Sequence, residues 1–382
     1  MVEDSSLVEE IHKDVHTHPT KSFEPVRLFY TLFGKKNVPT AGFSNSNKKN
    51  YLQQLIIFLR THLFIPDPRK FWKKHALAKA KEVILQHKID NLITSSPPHS
   101  VQLIGVELKK QFNIHWIVDF RDLWTDIYYY ERLNHSKLSN YFDRKYEQRV
   151  IEQSDRVVTA SSVYNPIFSD KSIHVDSSKF TTIPNGYDSK DFNHFTTKKN
   201  QFFTITYTGT ISEQYNINPF LEALQHFKTK HPTVKFHLQF VGSVFPTLQL
   251  EINRRGLSEH VLFSPYVPHK ESIKYLEEAA VLLVCGPLNK QGKEGGIPAK
   301  VYEYLAARKP ILYLGKKDGF VATIIQKTAS GSVHDEDVME IYNSIHKFYE
   351  NWLSGKNVLD ENPTIKNYSR HAQAKVFAEL LR

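Results

Sequence analysis

Gly295-Gly-Ile-Pro-Ala-Lys-Val-Tyr-Glu-Tyr-Leu-Ala-Ala-Arg-Lys-Pro-Ile-Leu-Tyr-Leu-Gly315 is the stretch that decides the fold. Two glycines open it. Val301, Leu305 and Ala306 then fall on one side of a helix. Lys309-Pro310 stops that helix, because proline disfavours the helical conformation of the residue before it. Ile311 to Leu314 reads as a short buried strand. A glycine loop feeding a helix exposes free backbone N–H groups at the positive end of the helix dipole, which suits a phosphate. Glu303 lies in the same helix, where its carboxylate can accept hydrogen bonds from sugar hydroxyls. The alternative is an ordinary glycine-started helix with a solvated Glu303.

Outward from this stretch, strand-like apolar runs alternate with helix-like segments. Residues 91–94, 115–120, 156–160 and 181–184 read as one series of strands, with helices over 101–112 and 136–153. A second series runs through 203–207, 236–241, 261–264, 281–284 and 311–314, with helices over 219–230, 246–255 and 270–279. Such alternation makes an α/β protein with parallel sheets covered on both faces. The polar stretch from Gly186 to Asn200 separates the two series. The expected organisation is a Rossmann-like domain over 1–186, a linker over 187–200, a second Rossmann-like domain over 201–364, and a helical tail over 365–382.

Further short motifs follow in order. Ser95-Ser-Pro-Pro-His-Ser100 follows a strand and opens a helix, and Asp119-Phe-Arg-Asp-Leu-Trp124 ends the next strand. Ile183-Pro-Asn-Gly-Tyr-Asp188 makes a turn before the linker. Tyr207-Thr-Gly-Thr-Ile211, Phe240-Val-Gly-Ser243 and Tyr266-Val-Pro-His269 punctuate the second series. In open α/β sheets, ligands bind beyond the carboxyl ends of strands, and most of these motifs sit there.

Taken together over residues 90–382, these motifs resemble GT-B glycosyltransferases of the large retaining family four, in a bacterial branch concerned with surface polysaccharides. The resemblance implies two Rossmann-like domains facing a cleft, with the helical tail packed back on the first. It implies transfer of a sugar from a nucleotide-sugar donor to a glycan or lipid-linked acceptor, with retention, no metal and no cofactor. Glu303 matches the second of the family's two spaced glutamates, the one that holds the nucleotide ribose. Gly295 stands where the first would be, which leaves the donor-sugar contact to the backbone amides of Gly295 and Gly296 or removes it. Gly209, Thr210 and Gly242 fall where the backbone approaches the diphosphate; a tight strand–helix turn is the other reading. The family's basic pair after Gly209 is absent, so Lys300 is either the substitute cation or a solvated lysine. In the first domain His99, Arg121 and Asp122 are the acceptor-side and catalytic candidates, unless Arg121 and Asp122 merely pair with each other. Two other readings share the architecture: an epimerase acting on the nucleotide sugar, and an impaired, truncated transferase that only binds nucleotide.

At 382 residues the chain has room for two domains. Its net charge of +10, from 50 basic and 40 acidic residues, suits anionic partners. No zinc-finger or RRM-type signature is present, so no nucleic-acid partner is expected. One cysteine, Cys285, excludes an internal disulfide, and its apolar strand setting argues for a packed thiol. No signal peptide opens the chain and no apolar run approaches the roughly 18 residues of a membrane span, so a cytoplasmic location is expected. Residues 48–81 mix bases with apolar and aromatic residues. For Arg69–Lys74 this reads as a surface resting on an anionic membrane, and for Leu55–Leu59 as a core-facing helix. Asp335-Glu-Asp337 imitates a metal-binding pattern but reads as helix N-terminal acids. His16-Thr-His18 would share a strand face, without a third ligand. Finally, no glycine occurs before Gly34. The strand–glycine loop–helix unit that opens this family is therefore expected to be missing, leaving the first domain incomplete, less stable and poorly active.

Overall fold

The computed structural model describes residues 11–23, 58, 61–62, 64–127, 130–133, 135–172, 174–193, 195, 201–211, 213, 215–286 and 297–381. The chain divides into two compact units, one of residues 1–184 with 376–382 and one of residues 185–375. Each is an α/β unit built on a parallel sheet.

The first unit has strands β1 (Asn91–Ser96), β2 (His115–Phe120), β3 (Arg156–Thr159) and β4 (Phe180–Thr182), parallel and in that spatial order. Strand β2 is buried on both faces, which is why it reads as a continuous apolar run. Trp116, Val118 and Phe120 meet Val106, Val150, Ile151 and Phe168 on one side. Ile117, on the other side, meets Val158, Ile183, Phe377 and Leu380, so the end of the chain closes this unit's second face. A strand replacing the unit expected to be missing would have to come from residues 1–60, of which only 11–23 and 58 are described. Residues 11–23 form no strand, so His16 and His18 are exposed on irregular chain. Of Leu55–Leu59 only Phe58 is described, and it is exposed, stacked on His62.

The second unit has β5 (Phe203–Thr208), β6 (Phe236–Val241), β7 (Val261–Ser264), β8 (Val281–Cys285), β9 (Ile311–Leu314) and β10 (Gly331–His334). All are parallel, in the order β10-β9-β8-β5-β6-β7. Strand order therefore reverses between β5 and β8, the switch point beyond which such sheets bind ligands. Odd residues of β5 (Phe203, Ile205, Tyr207) enter a core shared with the helices Asn218–Lys230, Pro246–Arg254 and Val338–Leu353. The helices His269–Glu278, Lys300–Ala306 and Phe320–Thr328 cover the opposite face over β8 and β9.

Several boundaries differ from the sequence reading. Strand β10 escaped it, being short, half exposed and begun by a glycine. That glycine lets β9 approach closely, since a Cβ on Gly331 would lie 1.9 Å from the Ile311 carbonyl oxygen. Strand β4 closes at Thr182, because the carbonyls of Ile183 and Pro184 turn to Arg121. The stretch expected as a linker is partly core: Tyr187, Phe192 and Phe195 pack in the second unit, and Tyr187 bridges Ser369. Helix Lys300–Ala306 ends before Lys309-Pro310 because Arg308 takes the left-handed conformation at φ 52°. Its guanidinium holds the Leu359 carbonyl at 2.8 and 3.0 Å.

Candidate functional site

Gly209 and Gly242 follow the carboxyl ends of β5 and β6, and both have positive φ, +98° and +126°. They touch: a Cβ on Gly242 would lie 2.5 Å from the Gly209 carbonyl oxygen. Gly242→Ala would add that clash to a strained backbone. It should destabilise the second unit by about 2 kcal/mol or more, read as a lowered urea midpoint.

Lys300 reaches back to this point from the first turn of its helix. Its ammonium donates to the Thr208 carbonyl at 2.5 Å and lies 3.7 Å from the centre of the Tyr207 ring. A Cβ on Gly209 would stand 3.2 Å from it, so glycine here leaves the ammonium open on that side. Burial pushes the Lys300 pKa down to about 8, against the smaller pull of Cys285 and Glu303. It is therefore not a solvated surface lysine. Cys285 beneath it is a packed thiol, its pKa pushed up to about 12 by burial. Tyr304, on the same helix, accepts from the Thr208 amide at 2.9 Å and ties the helix to the end of β5.

Glu303 follows Lys300 by three residues, which places both on one face of the helix. It is half buried and has no hydrogen-bond or ion-pair partner among the described residues. Desolvation raises its pKa first of all; His269 opposes this, Asp191 adds to it, and Lys300 and Arg370 oppose it. His269 and Asp191 pair at 3.1 Å. Sequence reasoning gave neither a site role. His269 ends the Tyr266–His269 motif and starts a helix after β7, so its place beyond a strand end was available as a signal. Asp191 lies in the stretch read as linker, where Phe192 and Phe195 were the overlooked sign of packing.

Thr210 is exposed and its carbonyl accepts from the Tyr207 hydroxyl at 2.8 Å. Gly295 and Gly296 lie outside the described residues. The helix itself begins at Lys300, so Ile297-Pro298-Ala299 intervene and the glycines do not feed it directly. Asp337 caps the helix Val338–Leu353, accepting from the amides of Met339 and Glu340 at 2.9 Å each. Asp335 accepts from the Lys317 amide at 3.1 Å.

In the first unit, Arg121 pairs with Asp119, not with Asp122: its Nε and one terminal nitrogen lie 2.8 and 2.7 Å from Asp119 Oδ1. Residues two apart in extended chain share a side, and adjacent ones do not. The same guanidinium holds the Ile183 carbonyl at 2.7 Å, joining β2 to the chain after β4. Asp122 is left half buried, with no partner among the described residues. Desolvation raises its pKa and Arg121 opposes the rise. His99 is stacked on Trp124 at 4.6 Å, and its Nδ1 is enclosed without a partner. Burial, helped by Lys171, pushes its pKa down to about 3. At neutral pH it is therefore uncharged, with one ring nitrogen a donor and the other an acceptor. Trp124 is itself fixed by Asp143, at 2.7 Å.

No described helix is long and apolar enough to cross a membrane. In the Arg69–Lys74 segment, Phe71 is 40% exposed and Lys70 lies over the rings of Phe64 and Phe71. Trp72 faces inward, its indole donating to Thr20 at 2.7 Å.

Residues 189–370 match the family model of glycosyl transferases group 1. No curated protein matches the sequence. Among solved structures, a glycosyltransferase from Rickettsia africae is 14% identical, with a TM-score of 0.58 over 88% of this chain and 82% of that one. A lipopolysaccharide outer core galactosyltransferase is 12% identical, with a TM-score of 0.52 over 81% and 79%. A UDP-N-acetylglucosamine 2-epimerase from Listeria monocytogenes is 11% identical, with a TM-score of 0.50 over 81% and 78%. At such identities the structural likeness establishes the fold alone. Residues 189–370 therefore form a group 1 glycosyl transferase domain, and the chain, with its two parallel-sheet units, has the α/β fold of the GT-B glycosyltransferases.

Proposed function

We propose that this glycosyltransferase takes its sugar from a nucleotide-sugar donor held by the second unit, with retention and without a metal. The observation that carries this reading is the part-buried ammonium of Lys300, facing a glycine at the switch point of the sheet. A cation withdrawn from water is costly without a counter-charge. A diphosphate supplies that charge, and the cation in turn stabilises the diphosphate as it departs. The close-packed backbone at Gly209 and Gly242 gives the phosphates an approach free of side chains. Glu303, unpaired and on the same helix face, accepts hydrogen bonds from the ribose hydroxyls.

The acceptor falls to the first unit in this reading. Asp122, half buried at the end of β2 and without a partner among the described residues, contacts the acceptor. Arg121 positions the end of β2, and His99 contributes a neutral hydrogen bond. A glycan or lipid-linked acceptor is favoured by the galactosyltransferase of the lipopolysaccharide outer core that shares the fold. The net charge of +10 and the exposed Lys70–Phe71 edge favour a place against an anionic membrane on the cytoplasmic side. The Listeria epimerase of like fold keeps one rival reading alive; turnover of donor without any acceptor would identify it.

A thermal-shift screen of UDP, GDP, ADP and their sugars tests the donor assignment, since a ligand of the folded state raises the melting temperature. One base should stand out, and no shift with any of them overturns the reading. Transfer should also survive excess EDTA to within about twofold. Loss of activity on chelation, restored by manganese, would mean that charge on the diphosphate is handled by a metal and not by Lys300.

A further inference from the structure

Among the described residues the second sheet is not covered on both faces throughout. Over β6 and β7 the face opposite the aromatic core carries polar side chains, paired across strands in register: Thr204 beside His237, Thr206 beside Gln239, and Gln239 beside Leu262. A groove of about 260 Å³ lies there, between this lattice, Phe202 and Tyr275 of the helix His269–Glu278. It sits toward the amino ends of β5 and β6, whereas Gly209 and Gly242 follow their carboxyl ends.

Its floor is unusual for the inner face of a parallel sheet. The Thr206 side chain is buried, yet its hydroxyl has no partner among the described residues. Gln239 gives its amide N–H to the Ser264 hydroxyl at 3.0 Å and leaves its carbonyl oxygen unused. His237 is stacked on Phe202 at 4.5 Å, with both ring nitrogens free of hydrogen bonds among the described residues. Burial lowers its pKa, so the ring is neutral, offering one donor and one acceptor. Buried polar groups are ordinarily satisfied. Here two buried groups, Thr206 and Gln239, and the partly buried His237 lie side by side along one groove with hydrogen-bonding capacity unused among the described residues.

The walls narrow the ligand further. Phe202, Tyr275 and Leu262 supply apolar surface, and no lysine or arginine lines the groove. The single charged lining residue, Glu278, disfavours an anion. A cavity of about 150 Å³ is enough for a bare six-membered ring, so this one also has room for ring hydroxyls. We propose that the groove over β6 and β7 binds one sugar ring of a neutral glycan, stacked on the aromatic wall and hydrogen-bonded to Thr206, His237 and Gln239. Such a subsite would hold a glycan on the second unit away from the donor. It does not rest on the donor assignment.

Saturation-transfer NMR on the full chain with maltose, lactose and chitobiose, each at about 20 mM, tests this. At least one should receive saturation on its ring protons. Thr206→Val and Gln239→Met, near-isosteric changes on the floor, should each weaken binding about three- to tenfold. Should either fail to fold, as judged by circular dichroism, Leu262→Arg on the exposed wall should block the groove instead. Binding should persist in Glu303→Ala and with UDP saturating. No transfer to any of the three sugars, binding indifferent to the floor and wall variants, or displacement by UDP would each overturn the proposal.

Discussion

Replacing Lys300 by methionine should make the free protein more stable and its hold on a nucleoside diphosphate weaker. Both effects have one cause, the part-buried ammonium at the end of β5. Its pKa is about 8 in the folded state against 10.5 for an ordinary lysine. The unfolded chain therefore binds more protons between those values, and stability rises with pH across that window. Below pH 8 the charged form carries the full cost of burial, up to about 3 kcal/mol for such a shift. Lys300→Met removes that cost but also the bond to the Thr208 carbonyl, so a rise of several degrees in melting temperature is expected at pH 7. The gain should shrink above pH 8 and vanish near the unfolded value. Nucleotide affinity should move the other way. Loss of a charge-assisted contact weakens diphosphate binding by about 1.5–3 kcal/mol. In the wild type, affinity should also decline as pH rises through about 8, and the variant should show no such decline. Calorimetric titration of UDP, GDP and ADP over pH 6.5–9.5, beside melting curves without ligand, separates the two effects. A variant that binds as tightly as the wild type would remove Lys300 from the donor site.

Glu303→Ala should weaken binding of the nucleotide sugar by about 1–3 kcal/mol, the scale of hydrogen bonds to a charged group. The free protein should lose little, because Glu303 has no partner among the described residues to forfeit. Desolvation leads the raising of its pKa, so in the folded state the carboxylate takes up its proton sooner than an ordinary glutamate as pH falls. Donor affinity should then decline at the upper edge of the usual carboxylate range. In Glu303→Gln that acid limb should be absent. Unchanged affinity of the alanine variant, with an intact melting transition, would show that the ribose is held elsewhere.

Much of the second unit was legible because strand and helix signals there agree. The alternating face of Phe203, Ile205 and Tyr207, the continuous apolar run of Val281 to Cys285, and Pro310 before Ile311 each allow one local structure. Position beyond strand ends likewise marks Gly209 and Gly242 in the sequence, whereas Lys300 and Glu303 are marked by the helix they share. What failed was context carried by partners distant in sequence. Tyr187 and Phe192 sit in a polar stretch and read as linker, yet they pack in a core with Ile365 and Val301. Strand β10 has no apolar run of its own and exists because β9 offers it a ladder. The role of Arg121 depended on the carbonyls of Ile183 and Pro184, over sixty positions away.

The sequence by itself determined the alternation of strands and helices, the parallel sheets that this entails, and the turns at the carboxyl ends of the strands, where such sheets bind ligands. These follow from local period and from chain chirality, which need no distant partner. Tertiary structure alone decided which polar groups are spent and which remain. It spent Arg121 on Asp119, stacked His99 on Trp124, turned Lys300 back onto the Thr208 carbonyl, and left Glu303 and Asp122 without a partner among the described residues. Among the described residues it also left the Thr206 hydroxyl and the Gln239 side-chain carbonyl of the β6–β7 groove without a partner. The physical reason is that solvation and pairing belong to an environment assembled from many segments. A residue's type fixes what it can donate or accept, and only the fold fixes what it meets.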